Sequence, residues 1–585
     1  MLTGKTFIDP LEMPFSRRGS YICLANSNGG SNQYAKAQLF ISTARYSGSS
    51  MGGLFGADSV FRQIKVDLIK DGIVRNSVIH TTPYELIFES DRGSVSFCIG
   101  EYNLLRCRGT GGLSLRFTPK TGVFGKSGIT NLHDGTFKTL FGAALMHFVP
   151  KKGRLISGGM QLELEPDANG EIDLIMEEFT TDPSVRGSYP SYDECVAMVM
   201  ADFDGFADKL VKDIPAAYKE FALKAAWVVW ALTVVPDGKA VYKRRMVKMI
   251  RLIFEAAFSW QQAMHAFFLA RDPDFSWEVL LAEFDIQDKN GRIADALSPS
   301  GSGLGAMKPP IEGLALLWQM EHFDISKKPA NELEFLYDGM TKWTEFLLNF
   351  RDVDNDGIFE SQSAEETGWE SGSYQLVGFP LAAPDMNAYL ALMEESLAKL
   401  GRILGKGEPI NAAWEQKSKE TIQNLIEMFW TEDGWVSINV ITKEKSIPTS
   451  IVPYCALVLG KRLPQNVIDR SIELIFDSGE YETEFGLASE QLNSPNFTHG
   501  WCGGSIATPV QALLALGLDA CGRPGLAERI AVKYLDTIQK YGLYHIHNTI
   551  DGTQEYRKGM FFGEQSMFYS GWAAGCYLFF ASRYT

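Results

Sequence analysis

Two hydrophobic patterns divide the chain. Up to about residue 205, apolar positions alternate or run in short β-branched and aromatic stretches, as in Ser94-Val95-Ser96-Phe97-Cys98-Ile99 and Leu113-Ser114-Leu115-Arg116-Phe117. Clusters of Gly, Asn and Asp separate these stretches, at 26–30, 47–53 and 167–170. Short runs between regular turn signals predict a β-sandwich. From Phe206 the spacing lengthens to helical periods, through Leu210, Ile214, Tyr218, Phe221, Leu223, Trp227 and Trp230. Helices are expected over 329–349, 384–404, 412–429, 464–476, 507–518 and 526–541, with glycine- and aromatic-rich loops between them. About a dozen helices, pairing at intervals of about 60 residues, predict an (α/α)6 toroid. The expected organisation is multidomain: an N-terminal β-sandwich over 1–205, then an all-α barrel over 206–585.

The long loops of the helical half carry tryptophan beside Gly, Ser or Gln: Phe258-Ser259-Trp260, Thr367-Gly368-Trp369, His499-Gly500-Trp501 and Phe568-Tyr569-Ser570-Gly571-Trp572. Sugar rings stack their C–H faces on aromatic rings and need polar partners for their hydroxyls. Four such loops at helix junctions suit a saccharide pocket. The competing reading of each tryptophan is plain core packing.

Composition narrows the partners. The net charge is −16, spread along the chain, and hydrophobic residues make up 45% of the 585. A basic footprint for nucleic acid or for an anionic membrane surface is missing. No apolar run reaches membrane-span length, and the first residues, Met1-Leu2-Thr3-Gly4-Lys5, lack the pattern of a secretion signal. Eight cysteines stand without CxxC spacing, which fits reduced thiols and a cytoplasmic location.

Several blocks in order over about 255–580 carry a resemblance. They are Ser259-Trp260-Gln261-Gln262; Lys308-Pro309-Pro310; Glu366-Thr367-Gly368-Trp369-Glu370-Ser371-Gly372; Pro384-Asp385-Met386-Asn387-Ala388-Tyr389; Gly500-Trp501-Cys502-Gly503-Gly504; and Glu555-Tyr556-Arg557-Lys558-Gly559. Together they resemble the (α/α)6-barrel enzymes of the trehalase and processing α-glucosidase group. These are glycoside hydrolase families 37 and 63, with their mannosylglycerate- and glucosylglycerate-hydrolase relatives. Gln261 stands where the family usually has Asp, Cys502 where it has Arg, and Ala507 where it has a second Trp.

The resemblance implies an inverting exo-acting α-glycosidase, α-glucosidase-like, acting on a small saccharide or oligosaccharide. Glu370 takes the place of the family's acid-bearing Asp; in a second alignment Tyr374 falls there. Glu555, 17 residues before Trp572, takes the place of the general base, and Glu564 is the second candidate. The sugar contacts implied are Trp260, Gln261, Gln262, Trp369, Tyr374, Trp501 and Trp572. Inverting hydrolysis needs a protonated acid at the leaving oxygen and a base to activate water, about 6.5–9.5 Å apart. Trp369 and Glu366 are expected to keep the acid protonated, and Arg557 and Lys558 to keep Glu555 ionised. Asp385, just ahead of a helix, reads as its cap.

No cofactor or catalytic metal is expected. Asp352-Val353-Asp354-Asn355-Asp356-Gly357 matches the front half of a calcium loop, but its twelfth position is Ser363 instead of Glu. A structural calcium near Asp352, Asp354 and Asp356 is the weaker alternative to a solvated turn. His545 and His547 form an HxH pair with no third ligand at metal spacing. Two rival functions remain. One is a polysaccharide lyase on the same toroid, which would use Tyr374 on a uronate. The other is a catalytically impaired carbohydrate-binding protein, suggested by the altered acid loop.

Overall fold

The computed structural model describes residues 6–26, 38–43 and 64–585, except 120, 123–124, 127, 142–143, 159, 182, 184–185, 239, 252–254, 300, 304 and 556–568. The N-terminal part is rich in antiparallel sheet. One sheet runs Ile22–Asn26, Leu39–Thr43, Ile64–Lys70, Ser114–Pro119, Leu162–Glu165, Arg154–Ser157 in spatial order. A second runs Ile129–Asn131, Phe137–Phe141, Ala144–Lys152, Ile172–Phe179, Leu104–Gly109, Gly93–Glu101, Leu86–Ser90, Ser77–Thr81. The alternation read from sequence is literal here: in Ser114–Pro119, Leu115 and Phe117 are buried while Ser114 and Arg116 are less so. Val66, Phe117 and Leu162 pair across three strands of the first sheet. The Phe117 ring then meets Phe148 of the second sheet at 5.3 Å, so both sheets share one core.

Helical structure starts earlier than the periodicity predicts. The helix Tyr192–Val211 opens on a capping box in which Ser191 Oγ accepts from the Glu194 amide and the Glu194 carboxylate accepts from the Ser191 amide. Exposed Met198 and Met200 blur its apolar stripe, while Tyr192, Cys195, Val199, Phe203 and Phe206 form the buried one. This helix lies directly on the strand Gly93–Glu101. A Cβ at Gly100 would fall 2.3 Å from Cys195 Sγ, so only glycine fits there. The next helix, Ala216–Leu232, ties the halves together: Trp230 Nε1 donates to Asp202 Oδ2 at 2.9 Å and Trp227 Nε1 to the Pro83 carbonyl at 2.9 Å.

The rest of the chain is helical, and its helices pair. Ser259–Phe268 packs on Pro273–Ala282, Pro384–Leu404 on Glu408–Phe429, and Thr508–Ala520 on Pro524–Tyr541. Pro384–Leu404 matches the expected 384–404, and Ala330–Phe350 the expected 329–349 within a residue. The expected 464–476 helix changes character on the way, from α over Gln465–Ile472 to a π turn over Glu473–Asp477. Two-residue strands stand just ahead of three of these helices: Ala257–Phe258, Leu381–Ala382 and Ile506–Ala507. They hold the loops that lead into the helix N-termini. All eight cysteines are free and buried. Among the described residues no helix is long and apolar enough to cross a membrane.

Candidate functional site

The N-terminal ends of three helices converge on one aromatic cluster. Trp260 opens Ser259–Phe268, Trp572 opens Gly571–Arg583, and Asp385 opens Pro384–Leu404. The Trp260 ring meets Trp572 edge-on at 4.6 Å and Trp369 edge-on at 5.0 Å. Trp369 Nε1 donates to Asp385 Oδ2 at 3.1 Å. Trp501 covers the cluster, stacked on Trp369 at 6.0 Å and tilted over Trp572 at 6.1 Å. The four loops named from sequence therefore meet, but unequally. Trp260, Trp369 and Trp572 are 3%, 0% and 1% exposed, so Trp501 alone of the four presents surface.

The loop that carries Glu370 is held by its own sequence. The short helix Ala364–Thr367 ends at Gly368, whose φ of 70° is left-handed. A Cβ there would also press Pro309 and Trp260 at 3.0 Å each, so glycine is required twice over. Thr367 Oγ1 accepts from the Trp369 amide at 3.0 Å, and Gln375 Nε2 donates to Thr367 Oγ1 and to the Trp369 carbonyl. The turn leaves the Glu370 side chain 25% exposed.

Glu370 has partners that its sequence neighbours do not suggest. Its Oε1 accepts from Lys308 Nζ at 2.9 Å and its Oε2 from the Trp501 indole at 2.7 Å. Glu366, expected to act on Glu370, instead forms a buried pair with Arg351 at 2.7 Å. Lys308 also donates to the Glu365 carbonyl and lies 3.9 Å from Asp295. Burial pulls the Lys308 ammonium down, but Glu370 and Asp295 more than offset it and its pKa ends above the ordinary value. Asp295 is pushed up to about 6 by burial, against the pull of Lys308. Lys308, named from sequence only as part of the Lys308-Pro309-Pro310 block, is thus the centre of a carboxylate group.

Glu555 also meets the Trp501 loop. Asn548 Nδ2 donates to its Oε2 at 2.7 Å, and His499 Nδ1 lies 3.8 Å from the same oxygen. Burial raises its pKa, and His499 and Asn548 pull the other way. The expectation that Arg557 and Lys558 keep this carboxyl low falls on two residues that, like Glu564, lie outside the described residues. The loop that both carboxylates meet is tight. His499 and Cys502 have φ of 55° and 53°, and the Thr498 amide closes the loop on the Gly503 carbonyl at 2.8 Å. Non-glycine residues held in that region cost energy and gather at functional turns.

Other expected sugar contacts are placed inside the protein. Tyr374 is 0% exposed and its hydroxyl is pushed far up by burial, then by Asp385. Gln262 binds backbone: its amide exchanges hydrogen bonds with both backbone groups of Val247 and reaches the Phe258 carbonyl. Gln261 is fully buried, with Nε2 3.2 Å from His265 Nε2. Asp385 is not a side-chain cap; it is fully buried, pushed up to about 7 by that burial, and accepts from Trp369. His545 and His547 are buried and held down at about 3 and 4 by desolvation.

Residues 255–570 match the mannosylglycerate hydrolase MGH1-like glycoside hydrolase domain. The chain belongs to the MGH1-like glycoside hydrolases. Everything in the aromatic cluster and both flanking carboxylates falls within or beside that span, Trp572 two residues past its end. This MGH1-like hydrolase resembles a GH63 mannosylglycerate hydrolase from Thermus thermophilus solved with Tris (15% identity, TM-score 0.51). A structure of that enzyme with glucose gives 16% identity and a TM-score of 0.50; both alignments cover 61% of this chain and 98% of the other. Neutral trehalase of Saccharomyces cerevisiae aligns at 14% identity over 58% of this chain and 73% of its own, with a TM-score of 0.48. No curated protein matches the chain.

Proposed function

We propose that this MGH1-like hydrolase is an inverting, exo-acting α-glycosidase cleaving a short saccharide, above all an α-glucoside, at the convergent helix ends. The observation that carries the reading is the loop at 499–501. Its Trp501 indole binds Glu370, and its His499 imidazole lies beside Glu555, so two carboxylates meet one short loop segment. The reading takes the chain after Val211 as an (α/α)6 toroid, with paired helices sending their N-termini to one mouth. It takes the N-terminal part as a β-sandwich whose boundary lies at the turn after Val211, because residue 205 falls inside a helix packed on the sheet. The mannosylglycerate hydrolase neighbour, one of whose structures holds glucose, supports a small hexoside as substrate.

In the reaction, Glu370 gives its proton to the glycosidic oxygen as the C–O bond breaks. Water attacks the anomeric carbon from the opposite face and loses a proton to Glu555. Exchange with solvent resets both groups. Two observations favour a second assignment of roles: a Lys308 ammonium lies 2.9 Å from Glu370, and burial moves Glu555 toward its protonated form. In that version Glu555 is the acid and Glu370 the base.

Glu370→Gln and Glu555→Gln separate these outcomes on two substrates. On an α-linked disaccharide each variant is expected to lose about a thousandfold or more in kcat. On an α-glycosyl fluoride, whose leaving group needs no proton, the acid variant keeps activity and the base variant does not. The β-anomer should appear first by NMR. Wild-type rates for either variant on the disaccharide remove that residue from the mechanism. Binding without turnover by the wild type would turn the reading into one of a carbohydrate-binding protein. The lyase reading needs Tyr374 at the sugar, and its complete burial weighs against it.

A further inference from the structure

Asp295 faces Lys308 together with Glu370, yet the hydrolysis as written gives it no part. Its backbone is tied to the aromatic cluster. The Asp295 amide donates to the Gly303 carbonyl at 2.9 Å, and the Asp295 carbonyl accepts from the amide of Ser259 at 3.0 Å, one residue before Trp260. The strand that follows, Ala296–Ser298, pairs with Ala257–Phe258 on one side and Gly301–Gly303 on the other. Main-chain bonds therefore bring this carboxylate to Lys308 from a loop that carries neither Glu370 nor Trp501.

The side chain is poised rather than bonded. Asp295 Oδ1 is buried and accepts no hydrogen bond among the described residues. Such an oxygen is costly unless positive charge faces it. Lys308 Nζ lies 3.9 Å from it, beyond hydrogen-bond length. An ammonium has three protons to donate. Lys308 gives one to the Glu365 carbonyl at 2.7 Å and one to Glu370 Oε1 at 2.9 Å. No hydrogen bond among the described residues uses the third, and Asp295 is the carboxylate on hand to take it.

In either assignment of roles Glu370 changes charge during every turnover, giving a proton as the acid or taking one as the base. A buried ammonium that loses its counter-charge is strongly destabilised. Asp295 transfers no proton to the sugar, so its charge can face Lys308 at both stages. We propose that Asp295 is a positioning residue: it holds Lys308, and through Lys308 the Glu370 carboxyl, in one place while the charge on Glu370 changes. This role rests on the hydrolase reading of the site. The charged groups facing Asp295 are Lys308, Glu370 and Glu365. Burial pushes Asp295 up to about 6, Lys308 pulls against it, and Glu370 and Glu365 push with it. Above that pH it carries the charge the role needs; below it, the charge is lost.

The test compares wild type, Asp295→Asn, Lys308→Met and the double variant of the full chain on the α-linked disaccharide across pH, with circular dichroism to check folding. Asp295→Asn should lower kcat about tenfold to a hundredfold, the scale of a misplaced catalytic group. KM should stay within about threefold, because the effect runs through Lys308 and not through the sugar. The loss should shrink as pH falls below about 6, where protonated Asp295 already resembles the variant. Adding Asp295→Asn to Lys308→Met should cost no more than about a further threefold, since the lysine carries the effect. Asp295→Ser gives the same readings if the asparagine variant does not fold. Wild-type kcat in a folded variant, a loss independent of pH, or additive losses overturn the positioning role and leave hydrolysis through Glu370 standing. Wild-type rates for Glu370→Gln, or no turnover by the wild type, overturn both.

Discussion

The Lys308 ammonium reaches Glu370 Oε1 at 2.9 Å from a side chain that is only 6% exposed. It also lies 3.9 Å from Asp295, so one buried cation serves two carboxylates brought in from separate loops. Removing one partner of such a group leaves uncompensated charge and costs about 3–5 kcal/mol. Lys308→Met should therefore lower the unfolding midpoint and reduce kcat/KM at least a hundredfold. It should also push Asp295 further above its value of about 6, because Lys308 is what pulls that group down. Thermal denaturation and carboxyl NMR titration check both halves.

Trp501 joins the aromatic cluster to Glu370. Its indole N–H donates to Glu370 Oε2 at 2.7 Å and to the Gly368 carbonyl at 3.1 Å. Trp501→Phe keeps a ring over Trp369 and loses the donor. A hydrogen bond contributes about 0.5–1.5 kcal/mol, or about 1.5–3 kcal/mol to a charged group, so kcat/KM should fall about threefold to a hundredfold. Steady-state kinetics on the α-linked disaccharide decides; an unchanged rate separates the indole from the reaction.

Trp572 belongs to the same cluster but is 1% exposed, packed against Trp260 and Trp501. Trp572→Ala removes a large buried side chain and should destabilise the fold by about 3–5 kcal/mol. Trp501→Ala, at a half-buried position, should cost much less stability and more activity. Denaturant titration beside kinetics distinguishes the two, and equal stability losses would contradict the burial difference.

Glu394 is buried between helices Pro384–Leu404 and Glu408–Phe429, where Thr421 Oγ1 donates to it at 2.8 Å. Burial raises its pKa to about 7 from 4.5, so near neutrality the folded protein holds this proton while the unfolded chain has released it. The stabilisation is complete below about pH 4.5 and is lost as pH rises through 7. Glu394→Gln should abolish that loss, worth about 2 kcal/mol between about pH 5 and 8. The histidines at 265, 545 and 547 act in the opposite sense as pH falls below about 6.5, since burial depresses all three. Comparing variant with wild type by denaturant titration at each pH cancels their contribution.

Local periodicity determined much of the fold. The alternation of Leu115 and Phe117 with polar neighbours, and the helical spacing within 384–404, specify strand and helix because burial on one face repeats with the backbone's own period. Loop chemistry was legible too: Gly368 and the tryptophans of four loops marked segments that do meet at the helix ends. What local pattern does not encode is which face a residue turns inward once distant loops close over it. Trp260, Trp369 and Trp572 differ from Trp501 in that respect, although their sequence surroundings are alike. Lys308 and Glu370 stand 62 residues apart, and Glu555 meets His499 from another loop, so their electrostatics arises from tertiary packing alone.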